Sequence, residues 1–133
     1  MRHWLIKSEP AAYGWDRLLA EGETLWDGVR NHRAAMNLRA MREGEEAFFY
    51  HSVTGKEIVG IARIAQAGLA DPKDPKWPAV KIVPVRRLSR AVSLAEIKAD
   101  PALTDIELVR QSRLSVAEIR PAEWAHILDL AAR

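Results

Sequence analysis

Two apolar runs separated by a short polar segment constrain the fold of this chain more than any other feature. Residues 46–52 (EAFFYHS) and 57–67 (EIVGIARIAQA) are both rich in strand-forming side chains. Between them Val53-Thr54-Gly55-Lys56 places a glycine where a hairpin turn needs one. Gly60 inside the second run predicts a bulge or a close backbone approach. Residues 2–7 form a third candidate strand, with Trp4 and Ile6 on one face and His3, Leu5 and Lys7 on the other. Residues 24–26 form a brief extended piece before the Asp27-Gly28 turn. Residues 79–87, with their valines and isoleucine, predict a further strand, and residues 115–119 a short one.

Helices are expected at the periphery. Residues 15–20 carry Asp16 in the first turn and Gly22 as a stop. Residues 34–41 place Ala34, Leu38 and Met41 on one face before Gly44. Ser93 and Glu96 form a capping box that opens a helix to Ala99. Pro121 suits the first position of a last helix striped by Trp124, Ile127, Leu128 and Ala131. Residues 71–78 contain three prolines and are expected to be a long surface loop carrying Trp77. The class is therefore α+β, a small curled sheet or barrel with helices outside it. The 133 residues are expected to form one domain, residues 1–133.

Composition excludes several kinds of chemistry. The chain has no cysteine, so disulfides, thiolate metal sites and cysteine nucleophiles are ruled out. His3, His32, His51 and His126 stand in no metal-ligand spacing, and no P-loop, G-x-G-x-x-G or G-x-S-x-G is present. No apolar run approaches a membrane span, and the N-terminus turns polar too soon for a signal peptide. A cytoplasmic protein without metal, cofactor or membrane contact is expected. The net charge of +2 decides little, but Arg30, Arg33, Arg39 and Arg42 follow one another without an intervening acid. Such a run is either a solvated helix face or a phosphate-binding one.

Trp4, Trp15 and Trp124 fit ordinary core packing. Trp26 fits it less well, because it ends a strand directly before Asp27-Gly28-Val29-Arg30-Asn31. An indole, a guanidinium and an amide together could stack, neutralise and hydrogen-bond a nucleobase. Trp77 is either a lid over such a site or an anchor of its own loop. Lys7-Ser8-Glu9-Pro10, Tyr50-His51-Ser52 and Arg110-Gln111-Ser112-Arg113 each turn polar at the end of an apolar stretch.

Five segments in order resemble one family over nearly the whole chain: W-L-I-K-S-E-P (from Trp4), W-D-G-V-R-N (from Trp26), F-F-Y-H-S (from Phe48), I-V-G-I (from Ile58) and L-V-R-Q-S-R-L-S-V (from Leu108). They identify the chain as similar to EVE domains, which share the PUA-like fold with PUA and YTH domains. The resemblance implies a non-catalytic module that holds a modified nucleobase of DNA or RNA, single-stranded or flipped from a duplex. It implies a pocket built from Lys7, Ser8, Trp26, Val29, Arg30, Asn31, Tyr50, His51, Ser52, Arg110, Ser112 and Arg113. Arg33, Asn37 and Arg39 would contact phosphates, and any effector activity would come from a separate protein. The chain departs from the family at Ala35 and Met36, where many members carry arginine and asparagine, and at Lys56-Glu57 before I-V-G-I. Two other readings of the same residues are an enzyme using His51 or Glu9 as general base and a pocket for a small anionic metabolite.

Overall fold

A computed structural model describes all residues, 1–133. The strands are β1 (His3–Ser8), β2 (Thr24–Trp26), β3 (Glu46–His51), β4 (Glu57–Asp71), β5 (Asp74–Ser93) and β6 (Val116–Ile119). The helices are α1 (Pro10–Tyr13), α2 (Trp15–Glu21), α3 (His32–Ala40), α4 (Leu94–Ala99), α5 (Glu107–Arg110) and α6 (Pro121–Ala131), with a 3-10 turn at Pro101–Leu103. The strands form one mixed sheet in the order β2-β5-β4-β3-β1-β6, parallel only between β1 and β3. The sheet is curled and not closed into a barrel. No helix is long and apolar enough to cross a membrane.

Period-two alternation sorts the side chains of the central strands into two cores, one on each face of the sheet. Trp4 and Ile6 of β1, and Ala47 and Phe49 of β3, pack with Trp15 and Leu18 of α2 and Leu38 of α3. Leu5, Phe48 and Tyr50 face the other way, against Ile97, Leu103, Trp124 and Ile127. The Trp124 indole stacks on Phe48 at 3.8 Å between ring centroids. Burial on both faces explains why β1 and β3 read as nearly unbroken apolar runs. The polar ends of these strands lie beyond the helices that cover them, and there the surface opens.

The expected helices are present with small shifts of boundary. The Ser93–Glu96 capping box is formed in both directions, and Pro121 is the first residue of α6. Gly60 meets both expectations: the β4–β5 pairing shifts register beside it, and the Trp15 ring lies against its backbone. A Cβ on Gly60 would sit 2.6 Å from that fully buried ring.

Residues 71–78 are not a loop. Only Pro72 and Lys73 form the turn, and β5 begins at Asp74 with Pro78 paired to Ala70. Pairing with β2 is confined to Val80–Ile82, so the Asp74–Ala79 part of β5 has no strand outside it. Prolines 75 and 78 lie on this unpaired rim, where a missing N–H costs no ladder bond. The polar segment Arg110–Arg113 begins in the last residue of a short helix, α5.

The turn of this hairpin holds the loop after β2. The Asp71 carboxylate is fully buried and accepts the Gly28 N–H at 2.8 Å, the Lys73 N–H at 2.8 Å and the Arg30 guanidinium at 2.9 Å. Gly28 sits at φ +74°, a conformation glycine adopts without strain. These donors, Gly28 first, then Lys73 and Arg30, hold the Asp71 carboxyl down at about 2, against an ordinary value of 3.8.

Two predictions follow from this packing. Gly60→Ala should destabilise the fold by about 1–3 kcal/mol, because the Trp15 ring has nowhere to move; urea unfolding at constant m-value checks it. For Asp71 the folded-state pKa lies below the unfolded one. Its stabilisation is therefore complete above pH 3.8 and disappears as pH falls toward about 2. Asp71→Asn should be less stable than the parent at pH 7, and the gap should close between pH 4 and about pH 2 in unfolding curves.

Candidate nucleic-acid interface

The ends of β1 and β2 and the loop pinned by Asp71 surround a hollow of ≈ 480 Å³. That size is within the range of small-ligand sites. Of the residues expected to build the pocket, Lys7, Ser8, Trp26, Val29, Arg30 and Asn31 line it. Trp26 is half-buried and meets two rings nearly at right angles: Phe49 at 5.6 Å and 75°, and Tyr13 at 6.2 Å and 88°. These edge contacts fix the indole while no aromatic ring of the protein stacks on it. Phe49 in turn meets Trp15 edge-on at 5.5 Å, so the support of Trp26 runs into the core.

The polar groups around the hollow are partly committed. Ser8 Oγ donates to the Tyr13 carbonyl at 2.6 Å, which leaves it acceptor capacity only. Asn31 is the N-cap of α3, and its Oδ1 accepts the Ala34 N–H at 3.0 Å. Its Nδ2 remains a free donor. Arg30 is anchored by Asp71 yet keeps 40% of its side chain exposed. Lys7 Nζ donates to the Ser112 carbonyl at 3.0 Å and has no carboxylate partner. Burial pulls the Lys7 pKa below its ordinary value. Glu9 and Asp27 stand at the rim as the acidic counterpart.

The remaining expected residues fall outside this hollow. Tyr50, Ser52 and Ser112 line a second hollow of ≈ 540 Å³, which shares Lys7 with the first. Arg110 and Arg113, with Arg33 and Asn31, line a cleft of ≈ 300 Å³ that adjoins the first hollow through Asn31. Tyr50 belongs to the core on the far face of the sheet, which is why it cannot reach Trp26. His51 Nε2 accepts the Trp15 N–H at 3.1 Å, and burial lowers its pKa. Its ring thus holds the start of α2, and it is not placed as a general base facing the hollow.

The arginine-rich helix divides its charges between two sides. Arg33 faces the cleft and pairs with Glu107 at 3.0 Å; Arg110 pairs with Asp105 at 2.9 Å. Asn37, expected on a phosphate, points inward and donates to the Val116 carbonyl at 2.7 Å, which ties α3 to β6. Arg39 donates to the Lys76 carbonyl beside Trp77, away from the cleft. Trp77 lines neither large hollow. It packs on His32 at 5.0 Å, with the Arg30 guanidinium 5.4 Å from its ring, and so backs the arginine rather than covering the site.

Tyr13 and Ser115 also line the first hollow and were not legible in the sequence. Tyr13 lies in α1, a single turn held by the Ser8 hydroxyl, and no periodic pattern marks it. Ser115 is placed by its carbonyl, which accepts the Lys7 N–H at 3.0 Å.

Several known proteins resemble this chain. A Rhodopseudomonas palustris protein solved by NMR superposes with a TM-score of 0.95 at 43% identity, covering 99% of this chain and 94% of that one. Human thymocyte nuclear protein 1 is 32% identical across 96% of this chain and 73% of its own length. The human protein in complex with 5-methylcytosine-containing DNA superposes with a TM-score of 0.89 at 31% identity, covering 100% of this chain and 99% of that chain. A YTH domain of Zygosaccharomyces rouxii, in complex with N6-methyladenosine RNA, shares the fold at a TM-score of 0.62 and 16% identity, over 98% of this chain and 86% of that one. The EVE-domain model matches residues 2–130, and with these relatives it shows that the chain belongs to the EVE-domain family.

Proposed function

We propose that the hollow beside Trp26 holds one modified nucleobase of DNA or RNA and that the protein reads it without altering it. The observation that carries this reading is the half-buried Trp26 indole, fixed by Phe49 and Tyr13, with no ring stacked on it and Arg30 and Asn31 beside it. The human relative bound to 5-methylcytosine-containing DNA supports it.

Energetics limit how such a site can select. A base must leave its stack to enter, at a cost of a few kcal/mol. Stacking on Trp26 returns about 1–3 kcal/mol. Burying one methyl group adds only about 0.8 kcal/mol. The rest of the discrimination therefore rests on polar groups that a wrong base leaves unpaired. Asn31 Nδ2 and the free N–H groups of Arg30 offer donors, and Ser8 Oγ offers an acceptor.

Phosphates flanking the read base would lie in the adjoining cleft. Arg113 is in no ion pair there, and the exposed pairs of Arg33 and Arg110 are weak enough to exchange a carboxylate for a phosphate. His51 is occupied by the Trp15 N–H and Glu9 is exposed at the rim, so neither is set to deprotonate a bound base. Binding without turnover is the reading these placements favour.

Trp26→Ala should cut the affinity for a 5-methylcytosine oligonucleotide about 5- to 150-fold, the equivalent of one stacking contact. Fluorescence anisotropy checks this, with circular dichroism confirming the fold; parental affinity would sink the stacking role. Replacing Arg33, Arg110 and Arg113 singly by alanine should weaken modified and unmodified strands alike. Each should lower the slope of log K against log[salt] by about one. An unchanged slope would remove these arginines from the phosphate path.

A further inference from the structure

The second hollow has a chemistry that reading a base does not use. It lies where β3, the β3–β4 turn, α4 and the segment after α5 meet, and at ≈ 540 Å³ it is at least as large as the first. Lys7, Lys56 and Lys98 line it, and no carboxylate does. None of the three is in an ion pair; Lys7 alone has a protein partner, the Ser112 carbonyl. An anion entering the hollow would meet ammonium groups with no carboxylate to compete for them.

The hydroxyls around the hollow point the same way. Tyr50 is only 3% exposed and has no hydrogen-bond partner in the protein, although it lines the hollow. Its hydroxyl opens into the hollow and is free to donate to a ligand there. Ser52 and Ser112 add hydroxyls that are likewise uncommitted. The turn that brings Lys56 here holds two non-glycine residues in left-handed backbone, Val53 at φ 67° and Lys56 at φ 49°. Strain of this kind gathers at ligand sites. Leu94, Leu108 and Val109 complete the hollow with an apolar wall.

We propose that this second hollow is a binding site for a nucleoside phosphomonoester, with the ring on the apolar wall and the phosphate among the lysines. Three ammonium groups match a terminal phosphate, which carries nearly two negative charges at neutral pH, better than the single charge of a phosphodiester. A free mononucleotide and the 5′-phosphorylated end of a strand both present that group. The site meets the base hollow only at Lys7 and does not depend on the base reading.

Calorimetry on the full chain tests it, with cytidine 5′-monophosphate, cytidine, and a short oligonucleotide with and without a 5′-phosphate. Lys56 and Lys98 are exposed, so the double variant Lys56→Gln/Lys98→Gln keeps the fold. The parent should bind the monophosphate about tenfold or more tightly than cytidine, and the double variant should lose that advantage. The variant's preference for modified over unmodified oligonucleotides should stay at the parental ratio. A 5′-phosphate effect on the oligonucleotide that vanishes in the variant assigns the site to strand ends; an effect confined to the monophosphate assigns it to free nucleotides. Equal binding of cytidine and its monophosphate, or parental affinity of the double variant for every phosphorylated probe, overturns the proposal. Loss of modified-base preference in the parent would count against the base reading and leave this result intact.

Discussion

The buried carboxylate of Asp71 fixes the relation on which the candidate site depends. The base hollow has one wall made by the chain after β2, and that chain carries no secondary structure until α3 begins at His32. Asp71 accepts from Gly28 and Arg30 at once, and so locks this loop to the turn of the longest hairpin. Truncating one partner of a buried charged network leaves the other uncompensated, which is why such a contact behaves as a latch rather than a surface ion pair. Because Arg30 is held from behind by Asp71 and flanked by Trp77, its remaining donors are pre-oriented at the edge of the hollow.

Above this latch the two-faced core supplies rigidity. The aromatic series Trp15, Phe49, Trp26 and Tyr13 runs from a fully buried indole against Gly60 to a half-buried one at the hollow. Each contact is edge-on, so each ring restricts the next without covering its face. The strand ends converge because β1 lies between β3, to which it is parallel, and the edge strand β6, to which it is antiparallel, which brings Ser8, His51 and Ser115 to one end of the sheet. Convergence at one end nevertheless yields separate hollows, since adjacent side chains on a strand point to opposite faces. Lys7 and Ser8 illustrate this: only the long side chain of the lysine, one residue before the strand ends, reaches both hollows.

Much of this was legible in the sequence, and the exceptions have physical reasons. The hairpin turn at Gly55, the approach at Gly60, the Ser93 cap and the start of α6 at Pro121 are local rules, and local rules were enough. The prolines of residues 71–78 misled because proline forbids a central strand but not the outer rim of an edge segment, and only the sheet order reveals which it is. For the candidate site, the W-D-G-V-R-N segment brings Trp26, Val29, Arg30 and Asn31 to one hollow because they are contiguous. Asn37 and His51 could not be assigned in the same way. Whether a polar side chain serves the backbone or a ligand depends on partners distant in sequence, here Val116 and Trp15. Tyr13 was invisible for the same reason, since its position is set by a serine hydroxyl.

In the proposed mode of binding a base enters beside the Trp26 indole. Side-chain NMR spectra recorded during titration with a single-stranded 5-methylcytosine oligonucleotide test it most directly. A base stacked there should move the Trp26 indole and Tyr13 ring resonances through its ring current, while those of the core residues Trp4 and Trp124 stay in place. Shifts confined to Trp77 and Arg39, with Trp26 unmoved at saturation, would show that no base enters there.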